Sequence, residues 1–409
     1  MGKNIREESY DIVIVGGGPA GVCAAIASAR TGAETLLVER QAYLGGVSTS
    51  AMFQPWRGFH SLGKQVVTGI GEEIVARLQE AAGSPGHRVD PIGISLTVTP
   101  FDADVLKSVL LEMANTNNVR LIFDAQFNRA RLKGNYVEAV EIRSPHGDNL
   151  LRAGVYIDAT GRGTVAVSAG AGFVKHETSA SYRFSMGGVD EKLLMEYVVR
   201  SPHEFSRTPS STKVAFLSLK GFTSLTRKWH DEAPALADFD SIHIEGTSRA
   251  GEAVISMIEL PNVNPDDPEN LRRTAIRCED LAAKGSQFLI RNCPGFEKAA
   301  VLKLASDIGF HSNRQVLGRI TITDSDVLSG REFANAAATC AMPGRPDCTF
   351  QVPLDAFRLP GIENLIVTGR AILPPTALFA TNSQPASMQL GEAAGNLAVE
   401  LNKNLAMPR

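Results

Sequence analysis

The stretch that decides the fold is YDIVIVGGGPAGVCAAIASARTGAETLLVER, residues 10–40. Four consecutive apolar residues at 12–15 are typical of a strand covered on both faces, as in a parallel α/β sheet. Gly16, Gly18 and Gly21 follow with the spacing GxGxxG, and an alanine-rich segment begins with Pro19 and Ala20. Proline suits the first helical turn, so the pattern predicts a strand, a glycine turn and a helix in succession.

The glycine turn indicates a dinucleotide site. The first glycine permits the sharp turn, the second lets the backbone approach a diphosphate, and the third lets the helix lie close to the strand. Free amides at the start of the helix bind phosphate groups. A second apolar run at 35–38 ends in Glu39, placed where a carboxylate accepts hydrogen bonds from ribose hydroxyls. The alternative is a glycine turn of purely structural use.

Composition and charge exclude several classes of protein. Lys and Arg total 41 and Asp and Glu total 44, a balance that does not indicate a nucleic-acid or anionic-membrane partner. No apolar run approaches the ~18 residues of a membrane span, and the first residues are polar, so we expect a cytoplasmic protein. The five cysteines are scattered without a CxxC pair, which favours packing thiols over disulfides or zinc ligands.

Two further apolar runs extend the predicted sheet. VYIDATG at 155–161 and IENLIVTGRA at 362–371 each end in a turn of small residues. QLGEAAGNLAVEL at 389–401 predicts an amphipathic helix from about Leu390. In the middle of the chain, SIHIEG and GEAVISMIEL predict a β-hairpin, and a helix is expected from about Pro268 to Arg291.

With these motifs the sequence resembles the FAD-dependent oxidoreductases of the glutathione-reductase structural class. It is most similar to the branch with LGG after the ribose-binding glutamate, an IDATG strand and a C-terminal NLxVxGRxI…GxAAG segment. YRFSMGGVD at 182–190, PGFE at 294–297 and GFHSNRQVLG at 309–318 extend the likeness over nearly the whole chain.

The resemblance implies an α/β fold with a Rossmann-like FAD-binding domain of the glutathione-reductase type and a discontinuous mixed α+β substrate domain. The FAD-binding domain is expected at 1–174 and 331–409, with the substrate domain at 175–330. The pyrophosphate is expected at the glycine turn, the adenosine ribose at Glu39, the adenine near Arg40, and the flavin ring near the LGG loop and the C-terminal segment. The cofactor-binding residues that the resemblance implies are Gly16, Gly18, Pro19, Ala20, Gly21, Glu39, Arg40, Gly45, Gly46, Val47, Ala159, Thr160, Gly161, Gly369, Arg370, Gln384 and Gly391.

The C-terminal helix has two possible uses. A helix N-terminus at Gly391, Ala393 and Ala394 would stabilise the negative charge of a reduced flavin. The alternative is a helix that only packs well, because glycine and alanine also serve close helix packing.

The sequence does not identify the electron donor. A second strand–glycine–helix fingerprint in mid-chain is absent, and SAGAGF at 168–173 is typical of a helix end. Either the substrate itself reduces the flavin, or NAD(P)H or a protein donor does so without a dedicated domain. We expect hydride transfer between the flavin and a small organic substrate. A monooxygenase using NAD(P)H and oxygen, or an electron-transfer subunit, is the alternative.

The candidate catalytic residues are His311, Arg314, Arg57 and His60. The resembling branch commonly has arginine at the position of His311, and a titratable side chain there suits proton transfer, whereas a structural histidine is the alternative. FQPWRGFH at 53–60 follows the LGG loop, so we expect Trp56 and Phe59 to wall an apolar pocket and Arg57 to hold an anion. The alternative is an ordinary exposed loop.

Overall fold

The computed structural model describes residues 6–207, 216–236, 240–310, 314–342, 344–378 and 384–405. Within these ranges the helices are α1 Pro19–Arg30, α2 Gly69–Glu80, α3 Ala103–Thr116, α4 Thr164–Ser168, α5 Glu191–Arg200, α6 Thr223–Glu232, α7 Pro268–Asn292, α8 Asp324–Ser329, α9 Pro375–Leu378 and α10 Gln384–Asn404.

The strands are β1 Arg6–Val15, β2 Thr35–Val38, β3 Trp56–Arg57, β4 His60–Ser61, β5 Lys64–Gln65, β6 Arg88–Val89, β7 Thr97–Thr99, β8 Arg120–Ile122, β9 Gln126–Lys133, β10 Tyr136–Ser144, β11 Gly147–Asp158, β12 Phe173–Lys175, β13 Ala180–Gly187, β14 Ser218–Gly221, β15 Ile242–Gly246, β16 Glu252–Leu260, β17 Ala300–Leu304, β18 Gly309–Phe310, β19 Arg314–Val316, β20 Ala336–Ala341, β21 Thr349–Pro353, β22 Arg358–Leu359 and β23 Ile362–Val367. The four strands predicted for the sheet, the two predicted for the hairpin and the helix from Pro268 are thereby confirmed.

The first sheet is a parallel sheet with an antiparallel edge. Its order is β22-β23-β11-β1-β2-β8, in which β23, β11, β1, β2 and β8 run parallel and β9 and β10 form an antiparallel extension beside β11. Val15 lies opposite both Val38 and Asp158, and Asp158 lies opposite Val367. Because the strands are parallel and in this register, their carboxyl ends form a single edge, where ligands of open α/β sheets bind.

Helices α1 and α10 pack against each other at two glycines of α10. α1 lies against α10, and a methyl group on Gly391 would stand 2.0 Å from the carbonyl oxygen of Ala20. The same addition at Gly395 would stand 2.4 Å from the carbonyl oxygen of Ala24. The backbones therefore approach too closely for a side chain at either position.

Gly391→Ala should lower the free energy of unfolding by about 1–3 kcal/mol, because the added methyl group overpacks the α1–α10 contact. Helix propensity alone would change stability in the opposite direction by roughly 1 kcal/mol, so a net loss identifies packing as the cause. Urea unfolding of the apoprotein measures the change. Asn396→Ala, at an exposed position of the same helix, is the control and should be neutral or mildly stabilising; an equally stable Gly391→Ala variant would contradict the packing argument.

The second sheet is antiparallel, with the order β14-β15-β16-β13-β17 and β18 beside β13. The long helix α7 packs on it through residues that include Cys278, Leu281 and Phe288. This arrangement agrees with the mixed α+β substrate domain expected from the sequence.

Two hydrophobic cores correspond to the two sheets. The core of the second sheet extends along the chain from Ala180 to Phe310 and includes Met52, and the other core resumes at Val316 with Ile322 and Val327. We therefore propose that the chain returns to the first domain near residue 316, earlier than the boundary at 331 expected from the sequence.

None of the helices in the described part of the chain has the length and the apolar character needed to cross a membrane.

Candidate functional site

A cavity of about 400 Å³ lies at the carboxyl edge of the parallel sheet. Its wall contains most of the residues that the sequence assigns to the cofactor: Gly16, Gly18, Pro19, Ala20, Glu39, Arg40, Gly46, Val47, Ala159, Thr160, Gly161, Gly369, Arg370 and Gln384. These residues come from distant parts of the chain and meet because their strands end at the same edge.

Two glycines of the fingerprint are required by the protein itself. Gly16 has a φ of +109°, and a methyl group there would stand 2.5 Å from the carbonyl oxygen of Ala159. A methyl group on Gly21 would stand 1.7 Å from the carbonyl oxygen of Gly16. Gly21 does not line the cavity, and its role is to let α1 lie against the turn.

Gly18 is different, because nothing in the described protein requires a glycine there. Its φ of −74° is open to any residue, and a methyl group would find its nearest neighbour, the Cα of Gly46, at 3.8 Å. Gly18 lies on the cavity wall at the N-terminus of α1, where no side chain caps the helix. The missing side chain leaves room for a ligand to approach the backbone amides.

Glu39 is held rigidly at the end of β2. Its Oε2 accepts a hydrogen bond from the Gly17 amide at 2.6 Å, and its Oε1 accepts one from the Gln41 amide at 2.8 Å. Burial raises the pKa of Glu39, and these amide hydrogen bonds oppose the rise. Each carboxylate oxygen retains a lone pair, so Glu39 can still accept hydrogen bonds from a ligand in the cavity.

Asp158 shapes the opposite wall and was not among the residues assigned from the sequence. Its Oδ1 accepts hydrogen bonds from the amide of Thr160 at 3.0 Å and its hydroxyl at 2.7 Å, and its Oδ2 accepts one from the Ala166 amide at 2.9 Å. These bonds fix the turn of Ala159, Thr160 and Gly161 on the cavity wall. The signal was present in the sequence as the aspartate of the IDATG motif.

Cationic side chains surround the cavity. Arg370 donates through Nε to the Gly161 carbonyl at 3.0 Å and also bonds the Phe310 carbonyl; burial and the neighbouring Arg162 lower its pKa to about 10, so it stays charged at neutral pH. Arg162, which the sequence did not single out, lines the cavity and pairs with Asp266. Its buried Nε has no hydrogen-bond partner in the part of the chain that the structure describes.

Arg40 forms an ion pair with Asp307 at the rim of the cavity. Arg40 follows β2 of the first sheet and Asp307 precedes β18 of the second, so the pair joins the regions of the two sheets where the resemblance predicts the adenine end of the cofactor.

The LGG loop lies directly on the glycine turn. Gly45 has a φ of +110° and donates its amide hydrogen to the Gly17 carbonyl at 2.9 Å, while Gly46 and Val47 reach the cavity. Gly45 does not line the cavity, so its role is to hold the loop.

Gln384 joins this loop to the start of α10. Its Oε1 accepts hydrogen bonds from Trp56 Nε1 at 2.9 Å and from Ser48, and its Nε2 donates to the Phe53 carbonyl at 2.9 Å. Trp56 and Phe59 are fully buried in the protein core, with Trp56 stacked on Phe101, and neither ring lines the cavity.

The expected helix start at Leu390 is wrong. Helix α10 already includes Gln384, so Gly391 lies inside the helix, where its carbonyl and amide belong to helical turns. Gly391 packs against Ala20 and does not line the cavity, which favours the packing alternative stated for this helix.

The described candidate catalytic residues do not line the cavity. His311 lies outside the described residues. Arg314 pairs through Nη2 with Asp266 Oδ1 at 2.8 Å, beside Arg162 but not on the cavity wall. His60 is half-buried, with Nδ1 2.9 Å from Thr97 Oγ1 and its ring against His87, also away from the cavity.

The expectation that Arg57 binds an anion needs correction. It does not hold a free anion, because its buried guanidinium bonds Asp90 Oδ2 at 3.0 Å and Glu245 Oε1 at 3.0 Å. Its Nη2 also donates to Ser218 Oγ at 3.0 Å. Arg57 therefore connects the loop after the LGG motif with the second sheet.

His243 on β15 gives the protein a specific acid sensitivity. Burial, with the cations Lys220, Arg183 and Arg57, lowers its pKa from 6.5 to about 3. As the pH falls below 6.5 the unfolded chain protonates this histidine and the folded chain does not, so the folded state loses stability. The loss from this one residue reaches about 2 kcal/mol at pH 5.

His243→Gln should remove that loss and leave a flatter stability profile between pH 7 and pH 5. Urea unfolding of the apoprotein across this range measures it. His146→Gln, at an exposed position, is the control. Parallel pH profiles for the wild type and His243→Gln would contradict the argument.

Among the described residues, no group of three or more His, Cys, Asp or Glu side chains is arranged to hold a metal ion.

Comparisons with known proteins agree with the chemistry of the cavity. A family model described as FAD dependent oxidoreductase matches residues 11–408. Thiamine thiazole synthase from Aeropyrum pernix is 30% identical over 173 residues, which are 40% of this chain and 57% of that protein. Thioredoxin reductase from Ureaplasma parvum is 29% identical over 122 residues, 29% of this chain and 38% of that protein. The chain thus spans less than two thirds of the length of these relatives.

Solved structures are similar over nearly the whole chain. The flavin-dependent brominase Bmp2 has a TM-score of 0.52 at 14% identity, with 98% of this chain and 80% of the brominase covered. The myxobacterial chondrochloren halogenase CndH, described as FAD-dependent, has a TM-score of 0.50 at 14% identity, with coverages of 98% and 76%. At such identities the likeness shows a shared fold.

Proposed function

The chain belongs to the family of FAD-dependent oxidoreductases, and from this premise we propose that it transfers a hydride between FAD and a small organic substrate. The family makes the chain an enzyme that uses FAD. The direction of transfer and the class of substrate are the proposal, and we prefer dehydrogenase or reductase chemistry.

The edge cavity is the proposed FAD site. The backbone amides after Gly16 would bind the diphosphate, Glu39 would accept hydrogen bonds from the adenosine ribose, and Val47 with Gln384 would lie toward the flavin ring. Arg162 and Arg370 supply two positive charges on the wall of the same cavity, which suit the two negative charges of a diphosphate.

The single observation that carries this proposal is Gly18. Among the cavity-lining glycines of the fingerprint, Gly16 is explained by contacts within the protein, whereas Gly18 has an ordinary φ and space for a side chain. A bound diphosphate explains why that space is left open, since the second fingerprint glycine lets the backbone approach it.

FAD supplies the capacity to take up or release two electrons together with hydrogen. The protein's contribution is to bind and orient the reactants and to exclude water. Phe53, Ile308, Phe310 and Leu378 give part of the cavity an apolar wall. Asp158 and Gln384 act as positioning residues, because they hold the 159–161 turn and the 46–56 loop through hydrogen bonds.

The proposal is tested by recording the visible spectrum of the purified protein and then following flavin bleaching without oxygen. NADH, NADPH and a panel of small alcohols, amines and carboxylic acids are offered as donors. Bleaching by a small organic donor, or by NAD(P)H followed by reoxidation with a small organic acceptor, supports the proposal. Oxygen uptake tied to hydroxylation of the substrate would favour a monooxygenase, and reduction by a protein alone would favour an electron-transfer subunit; either result contradicts the preferred chemistry.

Glu39→Gln should weaken FAD binding about tenfold, because the ribose hydroxyls lose a charged acceptor. Quenching of flavin fluorescence during titration of the apoprotein measures the affinity. Glu34→Gln, at an exposed position just before β2, is the matched control and should bind FAD like the wild type. An unchanged FAD affinity in the Glu39→Gln protein would show that the ribose does not bind at Glu39.

A further inference from the structure

A second polar cluster lies against Phe53, and its polar residues are not on the wall of the edge cavity. Arg183 of β13 stacks its guanidinium over the Phe53 ring, 4.2 Å from the ring centroid, and Phe53 itself lines the cavity. Nη1 of Arg183 donates to the carbonyl oxygens of Met52 and Gln54, each at 3.1 Å. Only 4% of Arg183 is exposed.

The charges around Arg183 are unevenly shared. Arg57 takes Asp90 and Glu245 into its own hydrogen bonds. Glu245 and Glu259 raise the pKa of Arg183 through their charges but are not hydrogen-bonded to it among the described residues. Within the described ranges, the hydrogen bonds of Arg183 go to neutral carbonyl oxygens and none goes to a carboxylate. Burial lowers the pKa of Arg183 to about 10, so it is charged at neutral pH. A buried cation without a bonded anion is costly unless a ligand supplies one.

Four buried polar atoms of this cluster have no hydrogen-bond partner among the described residues: Arg183 Nε, Gln54 Oε1, Ser185 Oγ and Glu245 Oε2. The β-sheet register brings three of them to one face. Arg183 and His243 both pair with Ser256, and Ser185 and Glu245 both pair with Val254. Residues directly opposite in an antiparallel sheet point to the same side, so Arg183, Ser185 and Glu245 share a face. The fourth, Gln54, belongs to the loop that Arg183 holds.

The unpartnered atoms define the chemistry of a complementary ligand. Arg183 Nε is a donor with a full positive charge nearby, which suits a carboxylate. Gln54 Oε1 is an acceptor, and Glu245 Oε2 is an acceptor when the carboxyl group is ionised; burial raises the pKa of Glu245 and the charge of Arg57 opposes the rise. Acceptors need a hydroxyl or amino donor, and Ser185 Oγ can serve either group. Buried polar atoms are normally paired, so four orphans in one place point to an absent ligand.

We propose that this cluster binds the polar end of the enzyme's substrate, a small organic carboxylate with a neighbouring hydroxyl or amino group. The inference rests on the proposed function and adds the substrate class to it. Arg183 binds the carboxylate, and Gln54 and Glu245 receive the hydroxyl or amino hydrogens. Phe53 separates this cluster from the edge cavity, and its ring must turn for the carboxylate to reach Nε.

The test uses FAD-loaded protein and four probes in matched pairs: glycolate with glycolamide, and mandelate with mandelamide. Binding is followed by the change in the visible flavin spectrum and, independently, by the shift in melting temperature. At least one carboxylate should bind saturably and at least about tenfold more tightly than its amide, a difference of about 1.4 kcal/mol. Loss of that preference in Arg183→Gln, with Arg183→Lys keeping part of it, supports the proposal.

Arg200→Gln is the control. Arg200 is exposed on α5 of the same domain, and its replacement by glutamine removes the same charge as Arg183→Gln does. It should bind all four probes like the wild type. If Arg183→Gln does not fold, the reduced preference expected of Arg183→Lys decides the matter. Equal binding of acids and amides by the wild type, an unchanged preference in a folded Arg183→Gln protein, or a crystal structure with mandelate showing only water on the four atoms would overturn the proposal.

The two proposals fail in different ways. A protein that does not take up FAD contradicts the proposed function, and carboxylate binding is then still measured by the melting temperature. A yellow protein reduced by small donors that bind without any preference for a carboxylate contradicts only the assignment of Arg183.

Discussion

Gly18→Ala is expected to weaken FAD binding by about 3 kcal/mol or more, while the apoprotein stays as stable as the wild type. The added methyl group points into space that the protein leaves empty, with the nearest atom 3.8 Å away, so the fold has no reason to change. A diphosphate kept away from the amides at the start of α1 loses hydrogen bonds to a charged group, roughly 1.5–3 kcal/mol each. Titration of the apoprotein with FAD and urea unfolding without FAD measure the two quantities separately.

The controls are two other glycines. Gly172→Ala also has room for a methyl group, with its nearest neighbour at 3.4 Å, but lies away from the cavity, so both quantities should remain unchanged. Gly21→Ala should reduce stability as well as FAD binding, because its methyl group would meet the Gly16 carbonyl. Wild-type FAD affinity in the Gly18→Ala protein would mean that the diphosphate does not lie at the glycine turn.

Arg57→Met is expected to destabilise the protein by about 3–5 kcal/mol, because it leaves Asp90 and Glu245 buried with no cation bonded to them. The loss should be found in urea unfolding of the apoprotein, where FAD binding adds nothing to stability. In the triple variant Arg57→Met, Asp90→Asn, Glu245→Gln, much of the loss should be recovered, because the uncompensated charges are gone.

Arg77→Met, which removes an exposed arginine with a surface ion pair, should cost at most about 1 kcal/mol. A similarly small cost for Arg57→Met would contradict the view that Arg57 stabilises the fold by pairing with Asp90 and Glu245. Arg57 would then again be a candidate for binding an anion.

The assembly of the edge cavity is predictable from the sequence because its information is local. Each strand that ends at the cavity is a short apolar run followed by its own ligand-facing turn, and parallel pairing then places Gly16, Glu39, Ala159 and Gly369 together. Hydrophobic pattern and turn chemistry identify such segments without knowledge of the partners.

The roles of the buried arginines depend on pairs that sequence spacing does not reveal. Arg57 looks available beside the LGG loop, yet its partners are 33 and 188 residues away in the chain. Arg162 and Arg183 carry no local pattern that distinguishes them from surface arginines, and only their packing against Asp266 and Phe53 makes them notable. The sequence pattern puts the start of the last helix too late, near Leu390, because Pro385 and Ser387 do not continue a clear apolar period, although Pro385 is compatible with a first helical turn.

The central claim is that the carboxyl edge of the parallel sheet binds FAD through its diphosphate and adenosine. Isothermal titration of the apoprotein with FAD, and separately with FMN, tests it most directly, because FMN carries the flavin ring without the second phosphate and the adenosine. We predict one FAD per chain, bound far more tightly than FMN. No uptake of FAD, or FMN bound as tightly as FAD, would contradict the claim.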